Sequence, residues 1–274
     1  MPIIFYSGED VAGKNIARAL VEKHGFTKSE CAAAEEQGFV FRIWKSAGGM
    51  ELVELGTRTV EADYLSEFFQ SDLFVFASRH SSETGKPCLT AHATGNWGGK
   101  AEVGGKPREL CLTSARALKS AVKFLEANKI AGFEVFLEVT HHGPTELRSP
   151  AIFVEVGSSE AEWNNEAAVR VVAEAVLHVC RNYGKEKGRV AIGFGGGHYA
   201  PSFTKTLKET DFLVSHIAAK YALDELNEKM VSQAVEKTSE KVDLALIDWK
   251  GCSGEQRKRV ISILKSIGLE YEKA

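Results

Sequence analysis

Short apolar runs rich in Ile, Val and Phe alternate with amphipathic stretches of helical period from one end of the chain to the other. This is the pattern of a layered α/β protein, here a three-layer α/β/α arrangement around a mixed, largely parallel sheet. Residues 3–6 read as a first strand and 11–23 as the following helix, closed near Gly25 with Lys23 and His24 at its negative end. Residues 39–44 and 51–55, separated by Ala47, Gly48 and Gly49, predict a hairpin. Residues 73–77 suit a strand buried on both faces. Beyond them, residues 79–107 are too rich in Gly, Ser, Thr and Asn for a regular element, and a loop of that length is usually functional. A helix over 113–128 closes it. The second half predicts strands at 133–139, 152–156, 189–194 and 242–247 and helices over 161–181, 207–221, 224–237 and 255–266.

Composition narrows the class. With 274 residues, 44% hydrophobic and 26% charged, the chain can bury one large core or two modest ones. No repeat or polar linker divides it, so residues 1–274 are expected to form one catalytic domain with a long functional loop at about 79–110. A net charge of −3 supplies no global basic field, so any contact with nucleic acid must rest on local patches. Five scattered cysteines without a C-x-x-C pair fit a reducing compartment. The start of the chain has no basic leader before an apolar stretch, and no long apolar window occurs elsewhere; a cytoplasmic protein without membrane contact is expected.

The eight histidines fall into two sets. His24, His178 and His216 lie within or at the ends of predicted helices, where packed or capping histidines are common. His80, His92, His141, His142 and His198 follow predicted strands or sit in Gly-rich loops, where α/β sheets gather ligands. Strand alternation over 133–142 places Glu138 and His142 on one side, a carboxylate and an imidazole able to hold a metal or move a proton. Glu155 is a single carboxylate inside the apolar run AIFVEV. Metal-ligand spacing is weak, since there is no H-E-x-x-H, although a zinc site can be assembled from distant loops. A P-loop-like stretch, residues 8–15, carries Asn15 where Ser or Thr would bind magnesium, and Glu9 and Asp10 would repel phosphate; it reads as an ordinary acidic helix start. Basic residues Arg79, Lys86, Lys100, Lys106 and Arg108 share the long loop with Asn96 and Trp97, a set able to grip a phosphate backbone and stack a terminal base.

Three blocks carry a resemblance: ASRHSSETGKPCLTAHATGNWG over 77–98, VTHHGP over 139–144 and GFGGGHYAPSFT over 193–204. Together they resemble the D-aminoacyl-tRNA deacylases of the archaeal and plant type, and the similarity covers nearly the whole chain. The resemblance implies hydrolysis of the ester joining a D-amino acid to the acceptor end of tRNA, with zinc as cofactor. The fold it implies is similar to the phosphorylase and peptidyl-tRNA hydrolase group. Chemistry-bearing residues in the blocks are His80, Glu83, His92, Asn96, His141, His142 and His198. The expected catalytic groups are His80, His142, His198 and Glu138. The expected metal ligands come from His80, His92, His141, His142, His198 and Glu155. Substrate contacts are expected from Arg79, Lys86, Asn96 and Trp97, with backbone N–H groups of Gly195, Gly196 and Gly197 stabilising the oxyanion. A monomer without DNA contact is expected. A zinc exopeptidase of similar architecture and a non-catalytic binder of aminoacylated RNA ends are the alternative readings.

Overall fold

A computed structural model of the chain describes residues 1–29, 39, 41–83 and 85–274. Cys31, Val40 of the predicted hairpin and Thr84 of the first resemblance block lie outside the described residues.

Two sheets organise the molecule. The larger has eight strands: β1 (Ile3–Ser7), β2 (Thr27–Lys28), β3 (Phe41–Lys45), β4 (Glu51–Leu55), β5 (Phe74–Arg79), β6 (Cys88–His92), β9 (Glu134–Leu137) and β10 (Ala151–Gly157). Their spatial order is β2-β3-β4-β1-β5-β10-β6-β9. The centre from β4 to β10 is parallel, β10 and β6 run antiparallel, and β9 lies parallel to β6. The small ribbon β7 (Gly95–Asn96) with β8 (Glu109–Leu110) stands apart. A second, four-stranded parallel sheet has β11 (Val190–Phe194) between β12 (Leu213–Ala218) and β13 (Leu244–Ile247), with β14 (Tyr271–Lys273) beyond β13.

Strand alternation divides the large sheet into two unlike faces. Ile4, Tyr6, Val75, Ala77, Ile152 and Val154 pack on α1 (Val11–His24), α3 (Ala115–Asn128) and α5 (Glu166–Asn182). These helices form because their apolar residues recur at helical spacing and their first turns are capped: Asp10 accepts from the Ala12 N–H and Ser114 from the Ala117 N–H. Gly25 ends α1 with φ 70°, a left-handed conformation that glycine adopts without a Cβ clash. The opposite face carries Phe5, Phe74, Phe76 and Phe153, covered by Ala62, Leu65 and Phe69 around the short α2 (Leu65–Phe68) and by Cys111 and Leu147. Phe76 and Phe153 stack with centroids 4.6 Å apart. The smaller sheet lies against α6 (Pro201–Glu209) through Phe203 and Leu207, and against α7 (Glu228–Glu236) and α8 (Gly254–Ser266) through Met230, Val231, Val260 and Leu264. Among the described residues no helix is long and apolar enough to cross a membrane.

Four expectations are corrected. The helix expected over 207–221 is the end of α6 followed by β12: LVSHIA is buried at all six positions, so it has no polar face for a helix to expose and pairs with β11 instead. The long loop is not wholly irregular, since Cys88–His92 forms a fully buried strand between β10 and β9. The helix expected over 161–181 is two, α4 (Glu160–Trp163) and α5, because Asn165 caps a fresh helix through the N–H groups of Ala167 and Ala168. The strand expected over 133–139 ends at Leu137.

Candidate active site

Sheet register gathers the first polar groups. Across three adjacent strands Ser78, Glu155 and Thr90 stand side by side, and two residues along, on the same face, lie Phe76, Phe153 and His92. The aromatic cover of this face therefore gives way to a polar floor. Above it opens a cavity of about 660 Å³, lined among others by Asp10, Ser78, Arg79, His80, Asn96, His141, His142, Glu155, His198 and Tyr221. Loops from both sheets close it, and the GGGH segment after β11 delivers His198 from the smaller sheet.

One group of side chains consists of imidazoles alone. Ring nitrogens of His92, His141 and His142 lie within 4.8 Å of one another. In each ring Nδ1 faces a backbone carbonyl: Ala93 O at 3.1 Å, Val139 O at 2.8 Å and Gly143 O at 2.6 Å respectively. A carbonyl can only accept, so each Nδ1 carries a hydrogen, and in the neutral ring Nε2 is the nitrogen with a lone pair. This is the arrangement that orients histidines toward a metal. The Nε2 atom of His92 is fully buried without a hydrogen bond; Glu155 Oε2, at 3.6 Å, is too far to close one. Burial, reinforced by the charge of His92, holds His141 well below the ordinary imidazole range and brings His142 down to about 4. Those two rings stay neutral and keep their lone pairs, whereas at His92 the pull of burial is outweighed by Glu155, which raises it. His142 also holds φ at 45°, a left-handed backbone uncommon outside glycine and concentrated at functional sites.

The second group is built on carboxylates. Glu138, just past the end of β9 and buried, faces His80 Nδ1 at 3.1 Å and His198 Nε2 at 2.6 Å. Neither carboxylate oxygen closes a well-aligned hydrogen bond, so Glu138 is held by ion pairing. His80 lies 3.7 Å from Glu155 as well, and its Nε2 meets the Tyr199 hydroxyl at 3.1 Å. Burial alone would pull His80 down, but Glu138 and Glu155 outweigh it and raise it to about 12. Burial likewise pushes both carboxylates up, and the neighbouring histidines reverse this, bringing Glu155 down to about 2 and Glu138 well below its ordinary value. His80 is therefore a cation between two anions. Its backbone is packed tightly against Gly157, where a Cβ would stand 2.6 Å from His80 O.

The structure thus brings together His80, His92, His141, His142, His198, Glu138 and Glu155. It does not pair Glu138 with His142 as strand alternation predicts, because the strand stops at Leu137 and the left-handed turn at His142 breaks the alternation. Arg79 and Asn96 line the cavity; Arg79 lies over Trp163 at 5.3 Å, and Asn96 Nδ2 donates to Gly104 O and Lys106 O. Lys86 and Glu83 are exposed away from it. Trp97 is a correction: it is buried, and its Nε1 donates to Ile217 O at 3.1 Å, so it belongs to the core and offers no face to a base. Gly195 and Gly196 are a second correction, because their N–H groups donate to Ala218 O and Gly251 O and are not free for an oxyanion; Gly197 is exposed and does not line the cavity. The remaining histidines are structural in setting, with His216 buried on β12 between Thr140 and Lys237 O, and His178 stacked near Phe124. Asp10 caps α1, as an acidic helix start should. Sequence reasoning missed Arg58 and Tyr221, both lining the cavity. Arg58 carries no motif, and Tyr221 was hidden by the helix expected there.

A family model described as D-aminoacyl-tRNA deacylase matches residues 67–272. A protein named D-aminoacyl-tRNA deacylase from Thermococcus kodakarensis is 38% identical over 278 residues, covering 99% of each chain. One of the same name from Pyrococcus horikoshii is 39% identical over 285 residues and covers both chains completely. Among solved structures, a conserved protein of unknown function superposes with a TM-score of 0.90 at 34% identity, covering 100% of this chain and 95% of that one.

Proposed function

Since the chain belongs to the D-aminoacyl-tRNA deacylase family, we propose that the histidine cavity is where it hydrolyses the ester of D-aminoacyl-tRNA, releasing free D-amino acid and tRNA. The observation that carries the placement is the set of three imidazoles whose Nδ1 atoms are fixed on carbonyls and whose ring nitrogens lie within 4.8 Å of one another, with His141 and His142 on the cavity wall and His92 buried behind them. That donor set, with one Nε2 buried and unpartnered, fits zinc, which neutral imidazoles bind well. His92, His141 and His142 would hold the ion, with Glu155 beside them. Bound there, zinc would polarise an ester carbonyl and make water more acidic.

The chain's own residues supply the proton handling. Glu138 Oε2 stands 2.6 Å from His198 Nε2, which leaves His198 Nδ1 as the nitrogen for proton exchange, and His198 is more exposed than His80, His92 or His141. In this reading His198 Nδ1 takes a proton from water as the water oxygen attacks the ester carbonyl, and Glu138 steadies the imidazolium formed. The same proton passes to the ribose oxygen as the carbon–oxygen bond breaks, so no covalent intermediate is needed. His80, already cationic, balances Glu138 and Glu155 and is not the base. Arg58, Arg79 and Lys100 at the cavity wall suit the phosphates of the acceptor end. The test is hydrolysis of matched D- and L-aminoacyl-tRNA with and without a chelator. Cleavage confined to the D-ester and lost on chelation is expected. A D-ester left intact by the metal-loaded protein would sink the reading, and cleavage by metal-free protein would remove zinc from it.

A further inference from the structure

Among the described residues four large apolar side chains stand exposed: Met1, Val103, Tyr221 and Tyr271. Two of these, Tyr221 at 66% and Val103 at 46% exposure, line the cavity whose wall carries His80, His141, His142 and His198. One exposed apolar side chain is unremarkable on a protein surface, but two on the wall of a polar, charged cavity mark a contact for something flat and apolar.

Both are fixed to the reacting loops through the backbone. The N–H of Lys220 donates to Gly196 O at 2.9 Å, tying the turn that carries Tyr221 to the segment that delivers His198. On the other side of that turn Gln256 Nε2 donates to Lys220 O at 3.1 Å, and Ala222 and Leu223 are buried beneath it. Val103 O accepts from the N–H of Gly143, the residue after His142. The chain then presses onto Val60, another cavity-lining residue, so closely that a Cβ at Gly104 would stand 2.0 Å from Val60 O. The two exposed side chains therefore keep a fixed relation to the histidines.

We propose that Tyr221 is the stacking platform for the terminal base of tRNA, with Val103 as a second apolar contact. The proposal rests on the deacylase reading of the same cavity. In that substrate the scissile ester hangs on the terminal ribose, so the base on that ribose must lie one sugar away from the carbonyl that reaches the histidines. A nucleobase is flat and stacks on aromatic faces whatever its sequence. This is the role that sequence reasoning gives to Trp97, which the core has taken.

Tyr221→Ala, Tyr221→Leu, Tyr221→Phe and Tyr221→Trp are compared in two measurements: steady-state hydrolysis of D-aminoacyl-tRNA, and equilibrium binding of a CCA trinucleotide, the sequence that ends every tRNA. With Ala and Leu, KM rises and trinucleotide affinity falls about tenfold, the scale of one lost stack, while kcat changes little. Phe and Trp retain wild-type values, since the ring and not the hydroxyl stacks. An unchanged KM and affinity in Tyr221→Ala would overturn the proposal. So would a Leu variant equal to Phe, or a loss confined to kcat. Trinucleotide binding needs no hydrolysis, so it decides the stacking contact even if the wild-type protein spared D-aminoacyl-tRNA, the separate result that would end the deacylase reading.

Discussion

Two histidine groups share one cavity and behave in opposite ways. In the first, His92, His141 and His142 each set Nδ1 against a backbone carbonyl, and burial keeps His141 and His142 neutral. In the second, His80 and His198 set a ring nitrogen against Glu138, and His80 is held as a cation. The rings are chemically identical. What each nitrogen faces decides the rest: a carbonyl fixes a hydrogen without adding charge, whereas a carboxylate stabilises the proton itself. The first group is therefore suited to give lone pairs and the second to exchange protons.

The strongest way to break this division is His142→Ala. If the carbonyl-held trio is the metal centre, its loss should remove bound zinc, read by elemental analysis, and lower D-aminoacyl-tRNA hydrolysis by roughly 10³-fold. Full metal content in this variant would erase the distinction. Next comes Glu138→Gln, which keeps shape but removes the anion between His80 and His198. Single-turnover rates should fall by about 10²-fold while zinc content stays near wild type. Loss of metal as well would merge the two groups into one.

A buried histidine outside both groups sharpens the comparison through pH. Burial, helped by the charge of Lys237, takes His216 down to about 4 from its ordinary 6.5. The unfolded chain then binds the proton more readily than the folded one, so this contribution is intact above 6.5 and declines as pH falls from about 6.5 to about 4, by roughly 3 kcal/mol in total. Denaturant titrations across that window should show stability falling with acid, and His216→Gln should flatten the slope. A slope unchanged by the substitution would mean that other groups carry it. The smallest effect is expected of Trp97→Phe, which loses the hydrogen bond to Ile217 O and about 1 kcal/mol of stability. KM for aminoacyl-tRNA should not move, in contrast to Tyr221→Ala; a raised KM would return Trp97 to the cavity.

Much of this was legible in the chain. The alternation of apolar runs with helical stretches placed most elements, because burial on both strand faces and on one helix stripe leaves different periods in the sequence. It failed where a run was apolar without a period: LVSHIA of β12 looks the same whether buried as a strand or as part of a helix. The five histidines were picked out by their positions after strands and in glycine-rich loops, and three sequence blocks carried the family resemblance. Chemistry at each ring was another matter. His80 meets Glu138 and Glu155 through sheet register and loop closure, and His198 arrives from the other sheet altogether. Trp97 and Tyr221 exchanged roles for the same kind of reason, since an aromatic ring is core or platform according to what covers it. The sequence by itself determined the class, the order of elements and the side chains available for chemistry. Only the tertiary structure decided which nitrogen faces a carbonyl and which a carboxylate, because hydrogen bonding, ion pairing and burial act over a few ångströms between groups far apart along the chain.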